Sequence, residues 1–346
     1  MCTSVTINTK DDHHFLARNF DFYELPAPYE VTVLPRKYRW LNKQDNRTIT
    51  SRYAVVGMGA QADDQFGLFD GFNEKGLMGV THYLEGFAQF ETQRRRDKIN
   101  LAALDFILFV LTQFQSTDEI VRYLGELNLM ERDLELTGGP PPIHWIFTDS
   151  AKKTIVIEST KDGVKVYDNK VGAFANSPDF RWHLINLNQY ATLSSIQPSQ
   201  EVIWGDYPLV QSPELLSGNF GIPGDYTSPS RFVRAAFLRN HIEEAESAQD
   251  GLRNCIRTLD YCSVAKGADI EDGDASYTLY TSAMCAKTGY YYYYTYSNNQ
   301  LNAVNLFHED LSGQEKITFP VNIKQSIHYQ NPREREEEKH KDEYDE

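Results

Sequence analysis

The residue with the most informative chemistry in this sequence is Cys2, which directly follows the initiator methionine. Removal of Met1, expected when the second residue is small, would leave Cys2 with a thiol and a free α-amine. An α-amine has a pKa near ~8, so a usable fraction is neutral at physiological pH and can accept the thiol proton. The sequence therefore predicts a cysteine that is both nucleophile and base. A second-position cysteine also occurs without any function, so the prediction depends on residues elsewhere.

A second pair of candidate residues, Arg18 and Asp21, lies within a predicted strand at 14–22. If this strand neighbours the one that begins near Cys2, Asp21 can hold the amine and the Arg18 guanidinium can favour the thiolate. Strict alternation puts Arg18 and Asp21 on opposite faces, so both would reach Cys2 only if a bulge or bend interrupts the strand. The alternative is an ordinary surface ion pair between two strands.

Three further motifs are unremarkable singly, because each also suits a turn or a helix start. They are Asn73-Glu74-Lys75-Gly76-Leu77-Met78-Gly79 with Tyr83 beyond it, Ala175-Asn176-Ser177-Pro178, and Gly221-Ile222-Pro223-Gly224-Asp225-Tyr226-Thr227-Ser228-Pro229-Ser230-Arg231-Phe232. Together with the N-terminal cysteine and the Arg/Asp pair, in this order, they resemble the choloylglycine hydrolase family of N-terminal nucleophile (Ntn) hydrolases. That family includes penicillin V acylases and conjugated bile salt hydrolases. The resemblance runs from residue 2 to about residue 320.

The resemblance implies a catalytic role for a set of residues spread along the chain. They are the nucleophile Cys2, its activating partner Arg18, the amine-orienting Asp21, the oxyanion donors Tyr83 and Asn176, and Arg231, which supports the nucleophile and its neighbours. An Asn side chain suits its role because its NH₂ group can hydrogen-bond charge that develops only after nucleophilic attack. The implied reaction is amide hydrolysis through a cysteine thioester.

The residue at position 83 bears on the substrate. As Tyr83 it is similar to the penicillin V acylase branch of Gram-positive type, whereas bile salt hydrolases usually have Asn there. The sequence thus predicts a penicillin V acylase-like enzyme that hydrolyses phenoxyacetyl penicillin faster than glycocholate. The alternative substrates are conjugated bile salts and N-acyl-homoserine lactones. His82 would point away from the Tyr83 face on a strand, and we interpret it as structural.

Composition narrows the range of partners. The 346 residues carry a formal net charge of -15 at pH 7, and the longest basic run is Arg94-Arg95-Arg96. A polyanionic partner needs a basic patch, so we expect a small-molecule amide substrate and neither a nucleic-acid nor a membrane partner. The sequence indicates no signal peptide and no membrane span, which favours a cytoplasmic location. The family resemblance also implies a homotetramer without metal or organic cofactor.

The remaining cysteines and histidines do not predict a metal site. The cysteines form no CxxC pair, and Cys255 and Cys262 have the spacing of buried thiols on one helix. His13 and His14, at the edge of a turn, are interpreted as surface residues, and His241 has no zinc-ligand spacing to other residues.

Two other function classes remain open. A catalytically silent binding protein of the same fold would retain Met1 or lack one of Cys2, Asp21, Asn176 and Arg231, and all four of these residues are present. A papain-like cysteine hydrolase would need a separate histidine base, and a metal-dependent hydrolase would need a ligand cluster.

Blocks of strand-like sequence separated by two helical blocks predict the fold. Strands are predicted at 3–8, 14–22, 29–36, 53–60, 66–72, 77–84, 143–148, 154–158, 164–167, 171–175, 277–286, 290–296, 303–307 and 317–319, and helices at 101–114, 117–127 and within 179–265. Antiparallel sheets stacked face to face with helices outside would make an α+β fold, a four-layer α/β/β/α sandwich. We expect one catalytic domain over 2–332, with Met1 removed, and an acidic disordered tail over 333–346.

Overall fold

The computed structural model describes residues 1–23, 25, 28–62, 65–197, 202–209, 217–271 and 273–331. The predicted acidic tail at 333–346 lies outside these residues. No helix in the described ranges combines the length and the apolar character needed to cross a bilayer.

The strands are β1 Cys2–Asn8, β2 His14–Phe22, β3 Tyr29–Leu34, β4 Arg39–Asn42, β5 Arg47–Thr50, β6 Val55–Ala62, β7 Gln65–Asn73, β8 Met78–Tyr83, β9 Ile99–Ala102, β10 Leu127–Met130, β11 Ile143–Thr148, β12 Thr154–Thr160, β13 Gly163–Asp168, β14 Ala173–Phe174, β15 Val202–Trp204, β16 Tyr207–Leu209, β17 Ile270–Glu271, β18 Asp274–Ala275, β19 Tyr277–Cys285, β20 Tyr290–Thr295, β21 Asn302–Asn305 and β22 Ile317–Pro320. The α-helices are α1 Phe106–Gln113, α2 Thr117–Tyr123, α3 Phe180–Leu187, α4 Ser228–His241 and α5 Ala248–Asp260.

Two antiparallel sheets form the centre of the fold. One has six strands in the order β14-β1-β2-β19-β20-β21, and the other has eight in the order β13-β12-β11-β8-β7-β6-β3-β22. Helices α4 and α5 pack on the six-stranded sheet at β1, and α1 packs on the eight-stranded sheet at β7 and β8. Strands β1 and β8 contact each other between the sheets. The predicted α/β/β/α sandwich is confirmed.

Alternation along the strands explains the two apolar cores. Because successive side chains point to opposite faces, a strand inside this sandwich buries one set of residues between the sheets and the other set under a helix. Val5, Met58 and Val80 belong to the core that includes both sheets. Trp145 and Phe106 belong to the core that the eight-stranded sheet forms with α1. This double burial holds the central strands rigidly in place.

The predicted helices differ from the observed ones at their ends. The helix predicted from Leu101 begins at Phe106, because residues 99–102 form β9, which pairs in parallel with β10. The second helix was predicted to reach Leu127 but ends at Tyr123, which leaves Leu127 for the same pairing. A short apolar run fits a strand or a helix equally well, and here a partner distant in the sequence decides between them.

Two close approaches within the eight-stranded sheet require glycine. Gly57 of β6 faces Gly71 of β7, and a Cβ atom on Gly57 would lie 2.1 Å from the carbonyl oxygen of Asp70.

We expect Gly57→Ala to lower the free energy of unfolding by ~1–3 kcal/mol, the usual cost of overpacking. Gly67→Ala is the matched control, because a Cβ there meets nothing within 4 Å. Urea denaturation of both variants tests this, and equal midpoints would contradict the close packing.

Candidate functional site

Cys2 lies at the start of an interior strand. Strand β1 is hydrogen-bonded between β14 and β2, and Cys2 is paired with Phe20 across the β1–β2 ladder. The Sγ atom of Cys2 accepts a hydrogen bond from Nη2 of Arg18 at 2.7 Å. Because both neighbouring strands fix the backbone, the thiol has a defined position beside a guanidinium.

A buried polar network keeps Arg18 charged. Its Nη1 atom lies 3.4 Å from Oδ2 of Asp70, and Asp70 accepts hydrogen bonds from the hydroxyls of Tyr280 and Tyr291. Burial opposes the charge of Arg18, but the fields of Cys2, Tyr280 and Asp70 outweigh it and raise the pKa of Arg18 above its ordinary value. Burial raises the pKa of Asp70 in turn. A permanent cation therefore lies beside the sulfur of Cys2.

Arg18 and Asp21 occupy opposite faces of β2, as strict alternation requires. Arg18 contacts Asp70 of the other sheet, while Asp21 lies 3.7 Å from Arg231 of helix α4. The condition inferred from the sequence, that a bulge or bend must interrupt β2, is therefore not met, and the register irregularity lies in the neighbouring β19. Both residues can still flank Cys2, since its side chain points to one face and its main-chain nitrogen stays accessible from the other.

The carboxylate of Asp21 has one unsatisfied oxygen. Oδ1 accepts a hydrogen bond from the hydroxyl of Thr278 at 2.6 Å, while Oδ2 is buried without a hydrogen-bond partner among the described residues. Met1 lies alongside, because the Asp21 amide donates to the Met1 carbonyl oxygen at 2.8 Å. In this form the Cys2 nitrogen is an amide and cannot act as a base. Loss of Met1 would create an amine close to an oxygen that lacks a donor.

Arg231 and Asn176 connect the end of β1 to two other segments. The fully buried Arg231 donates to the carbonyl oxygen of Cys2 at 2.5 Å and to Oδ1 of Asn176 at 2.9 Å. Oδ1 of Asn176 also accepts from the Cys2 nitrogen at 2.6 Å, and its Nδ2 donates to the carbonyl oxygen of Tyr83 at 2.8 Å. An Asn NH₂ has two hydrogens, so one remains for a substrate oxygen.

Three buried histidines hold the main chain at Asn176. His183 Nε2 donates to the Asn176 carbonyl oxygen at 2.8 Å. His82 and His144, which face each other on β8 and β11, both contact the Ala175 carbonyl oxygen, at 3.0 and 3.1 Å. His82 has a structural environment, as predicted for it. His144 and His183 were missed, because the sequence around His144 gives no sign of the Ala175 carbonyl and the contact of His183 depends on how α3 folds back on the loop at Asn176.

A largely apolar cavity of about 540 Å³ opens at Cys2. Its wall beside the thiol includes Phe20, Phe22 and Tyr83. Burial raises the pKa of Tyr83 above its usual range, so its phenol keeps its proton and can act as a hydrogen-bond donor. This volume lies within the ~300–1,000 Å³ that is typical of small-molecule sites.

The structure thus brings together the residues selected from the sequence, namely Cys2, Arg18, Asp21, Tyr83, Asn176 and Arg231. Sequence analysis missed Asp70 and Thr278, which complete the surroundings of Arg18 and Asp21. It also placed His14 at the surface, whereas His14 is buried and bonded to Asn8 and Thr148. The error arose because the turn before His14 suggested an exposed position, whereas the His14 side chain is buried at the start of β2.

Comparisons with known proteins agree over nearly the whole chain. Residues 2–319 match the family described as linear amide C-N hydrolases, choloylglycine hydrolase family. The bile salt hydrolase/transferase of Clostridium perfringens is 34% identical, with 96% of this chain and 100% of that protein covered. A crystal structure of the C2A mutant conjugated bile acid hydrolase from the same organism has a TM-score of 0.87, with 34% identity and coverage of 96% and 100%.

A more distant match concerns the acylase branch. The structure of a penicillin V acylase from Agrobacterium tumefaciens has a TM-score of 0.73 at 17% identity, covering 92% of this chain and 90% of that one. Identity at this level supports a shared fold and no more. The bile acid hydrolases are therefore the more informative relatives.

The first prediction from the site concerns its N-terminus. Active protein should have the mass of a chain that begins at Cys2, because Met1 blocks the nitrogen that the sequence predicts to serve as base. Cys2→Ala should abolish turnover, and iodoacetamide should label Cys2 before Cys255 and Cys262. Burial raises the pKa of Cys255, and it raises that of Cys262 to about 11, so both thiols stay protonated. Full activity in a homogeneous sample that retains Met1 would contradict the mechanism.

The second prediction concerns acid stability. Burial lowers the pKa values of His14 and His183 to about 4, below the ~6.5 expected in the unfolded chain. The unfolded chain therefore binds more protons between these values, and stability should fall as the pH drops from ~6.5 to ~4, by at most about 3 kcal/mol per histidine. His183→Gln should flatten this dependence in urea titrations at several pH values. The exposed His308→Gln is the control, and an unchanged slope in His183→Gln would contradict the assignment.

Proposed function

Because the chain belongs to the choloylglycine hydrolase family of linear amide C-N hydrolases, we propose that it hydrolyses the amide bond of conjugated bile acids, with Cys2 as nucleophile. The observation that carries this proposal is the full-length similarity at 34% identity to a bile salt hydrolase/transferase. The cavity beside the thiol supports it, because a rigid, largely apolar acyl group needs a pocket of this kind.

We propose the following reaction sequence. After removal of Met1, the α-amine of Cys2 takes the thiol proton, and the thiolate beside Arg18 attacks the substrate carbonyl carbon. Asn176 and Tyr83, with a backbone N–H, donate hydrogen bonds to the oxyanion that forms. The protonated amine then gives its proton to the leaving nitrogen, and the C–N bond breaks to leave a thioester. Water, activated by the same amine, hydrolyses the thioester and restores the thiol.

The remaining residues of the site orient these groups. Asp21 would hold the new ammonium through its unsatisfied Oδ2, and Arg231 would keep Cys2 and Asn176 at a fixed separation. Because Arg18 is the side chain that contacts the thiol, we assign Asp21 and Arg231 a role in geometry and electrostatics rather than in bond breaking.

The comparisons favour bile salts over the penicillin V substrate expected from Tyr83. That expectation rested on one aromatic residue and the segments around it. The similarity to the bile salt hydrolase/transferase extends over 96% of the chain at 34% identity, whereas a penicillin V acylase is matched at 27% identity over 56% of the chain. We therefore propose that Tyr83 forms part of a bile acid pocket, where its ring packs against Phe22 at a centroid distance of 5.7 Å.

We also propose that the protein is a homotetramer, as the family resemblance implies. Large apolar side chains are exposed on the hairpin β15–β16, including Ile203, Trp204 and Tyr207, and elsewhere at Phe220. Soluble monomers seldom expose such a group of aromatic side chains, which supports self-association. Light scattering of the purified protein tests this proposal.

The substrate assignment predicts a clear preference. We expect kcat/KM for glycocholate to exceed that for phenoxymethylpenicillin by roughly 10- to 200-fold, the discrimination that a modest apolar mismatch produces. Tyr83→Asn should retain measurable glycocholate hydrolysis, since Asn176 still offers an oxyanion donor. Cys2→Ala is the inactive control for both substrates. A higher value for phenoxymethylpenicillin in the wild type would move the protein to the acylase branch and leave the Cys2 chemistry intact.

A further inference from the structure

The apolar cavity contains one polar region that the reaction does not use. Arg132, which follows β10, and Gln65, at the start of β7, both line it. Nη1 of Arg132 donates to Oε1 of Gln65 at 3.1 Å and to Oδ2 of Asp105 at 2.7 Å. Asp105 is 1% exposed and lies behind the cavity wall, while the Arg132 side chain is 24% exposed. An ordered cation therefore forms part of an otherwise apolar surface.

These contacts leave donors available to a bound molecule. A guanidinium has five N–H groups, and both bonds of Arg132 use the hydrogens of Nη1. In the described part of the chain, Nε and Nη2 of Arg132 have no hydrogen-bond partner. Since Gln65 and Asp105 fix the plane of the group, the free donors point in a defined direction, and little ordering is needed when a ligand binds.

The surrounding charges indicate which oxygen would be accepted. Asp105 neutralises Arg132 from behind, and the cavity lining itself contains the carboxylate of Glu135. A carboxylate or sulfonate on the ligand would gain little from a cation that is already paired, and it would be repelled by Glu135. A neutral hydroxyl or ketone oxygen can accept a guanidinium hydrogen bond without this repulsion.

We propose that Arg132, oriented by Gln65 and Asp105, is a specificity residue that hydrogen-bonds a neutral oxygen substituent on the acyl group of the substrate. This inference rests on the proposed function, because it assigns the acyl group to this cavity. The Arg132 contact would favour substrates with an oxygenated acyl skeleton, such as a hydroxylated steroid, over substrates with a purely hydrocarbon skeleton of the same shape. The scissile amide and the Cys2 chemistry are the same for both.

The test compares two substrates that differ in the ring oxygens alone, the glycine conjugates of cholate and of unsubstituted cholanate. For the wild type we expect kcat/KM to be on the order of tenfold higher for the cholate conjugate, the effect of one hydrogen bond to a charged group. A larger ratio is not expected, because Arg132 keeps its protein partners when the ligand oxygen is absent.

The variants distinguish a specific role of Arg132 from a general loss of activity or folding. Arg132→Met alone would leave Asp105 buried and unpaired, so the double variant Arg132→Met/Asp105→Asn is the main test, and Gln65→Leu is a milder one. In the double variant the cholate-to-cholanate ratio should fall to near one, while kcat/KM for the cholanate conjugate stays within about threefold of wild type. Arg94→Met, which removes an exposed arginine paired with Asp45, is the matched control and should keep the wild-type ratio. Urea midpoints establish that each variant is folded.

The possible outcomes distinguish the role of Arg132 from the proposed hydrolysis of bile acid conjugates. An unchanged ratio in a folded double variant, or an equal loss with both substrates, would overturn the role of Arg132 and leave bile acid hydrolysis standing. Equal rates for the two conjugates in the wild type would do the same. Failure of the wild type to hydrolyse either conjugate would overturn the proposed function, and this assignment with it.

Discussion

The buried guanidinium of Arg231 is the interaction on which the rest of the site depends. A charge without exposure to water is tolerated only if hydrogen-bond acceptors surround it. Here the acceptors come from separate segments of the chain: the Cys2 carbonyl, the Thr3 hydroxyl, the Asn176 amide oxygen and the Tyr226 carbonyl. The requirement to satisfy one cation therefore fixes the proposed nucleophile, the proposed oxyanion donor and the start of α4 relative to one another.

Different charged groups surround Cys2 on the two faces of the six-stranded sheet. On the face toward the second sheet, Arg18 contacts the thiol and the substrate cavity opens. On the face toward the helices, Asp21 and Arg231 surround the main chain. The charged groups near the sulfur and the charged groups near the nitrogen therefore lie on opposite faces of the sheet. A residue that uses both atoms in catalysis needs this separation, because the sulfur must lose a proton while the nitrogen gains it.

Much of the fold follows from local sequence, and much of the site does not. Alternating apolar residues predicted β2 and β11 at their observed limits, because each has a face in a packed core. The pairing of β9 with β10 was missed, since a short apolar run forms a strand only when a distant segment of the chain pairs with it. The motifs predicted Cys2 and Asn176 through family resemblance. Nothing local could connect His144 to the loop at Asn176, since that contact depends on cross-strand register, whereas the contact of His183 depends on how α3 folds back on the loop before it.

The position of the amino terminus has a practical consequence for handling this protein. The nitrogen of Met1 donates a hydrogen bond to the main-chain carbonyl of Asp21, and the half-buried Met1 lines the cavity beside Cys2. A purification tag or a fusion partner joined ahead of Met1 would extend from a residue that lines this cavity, and it would keep the Cys2 nitrogen in an amide. Affinity tags and immobilisation linkers therefore belong at the carboxyl end, beyond β22, where the final strand lies at the edge of its sheet.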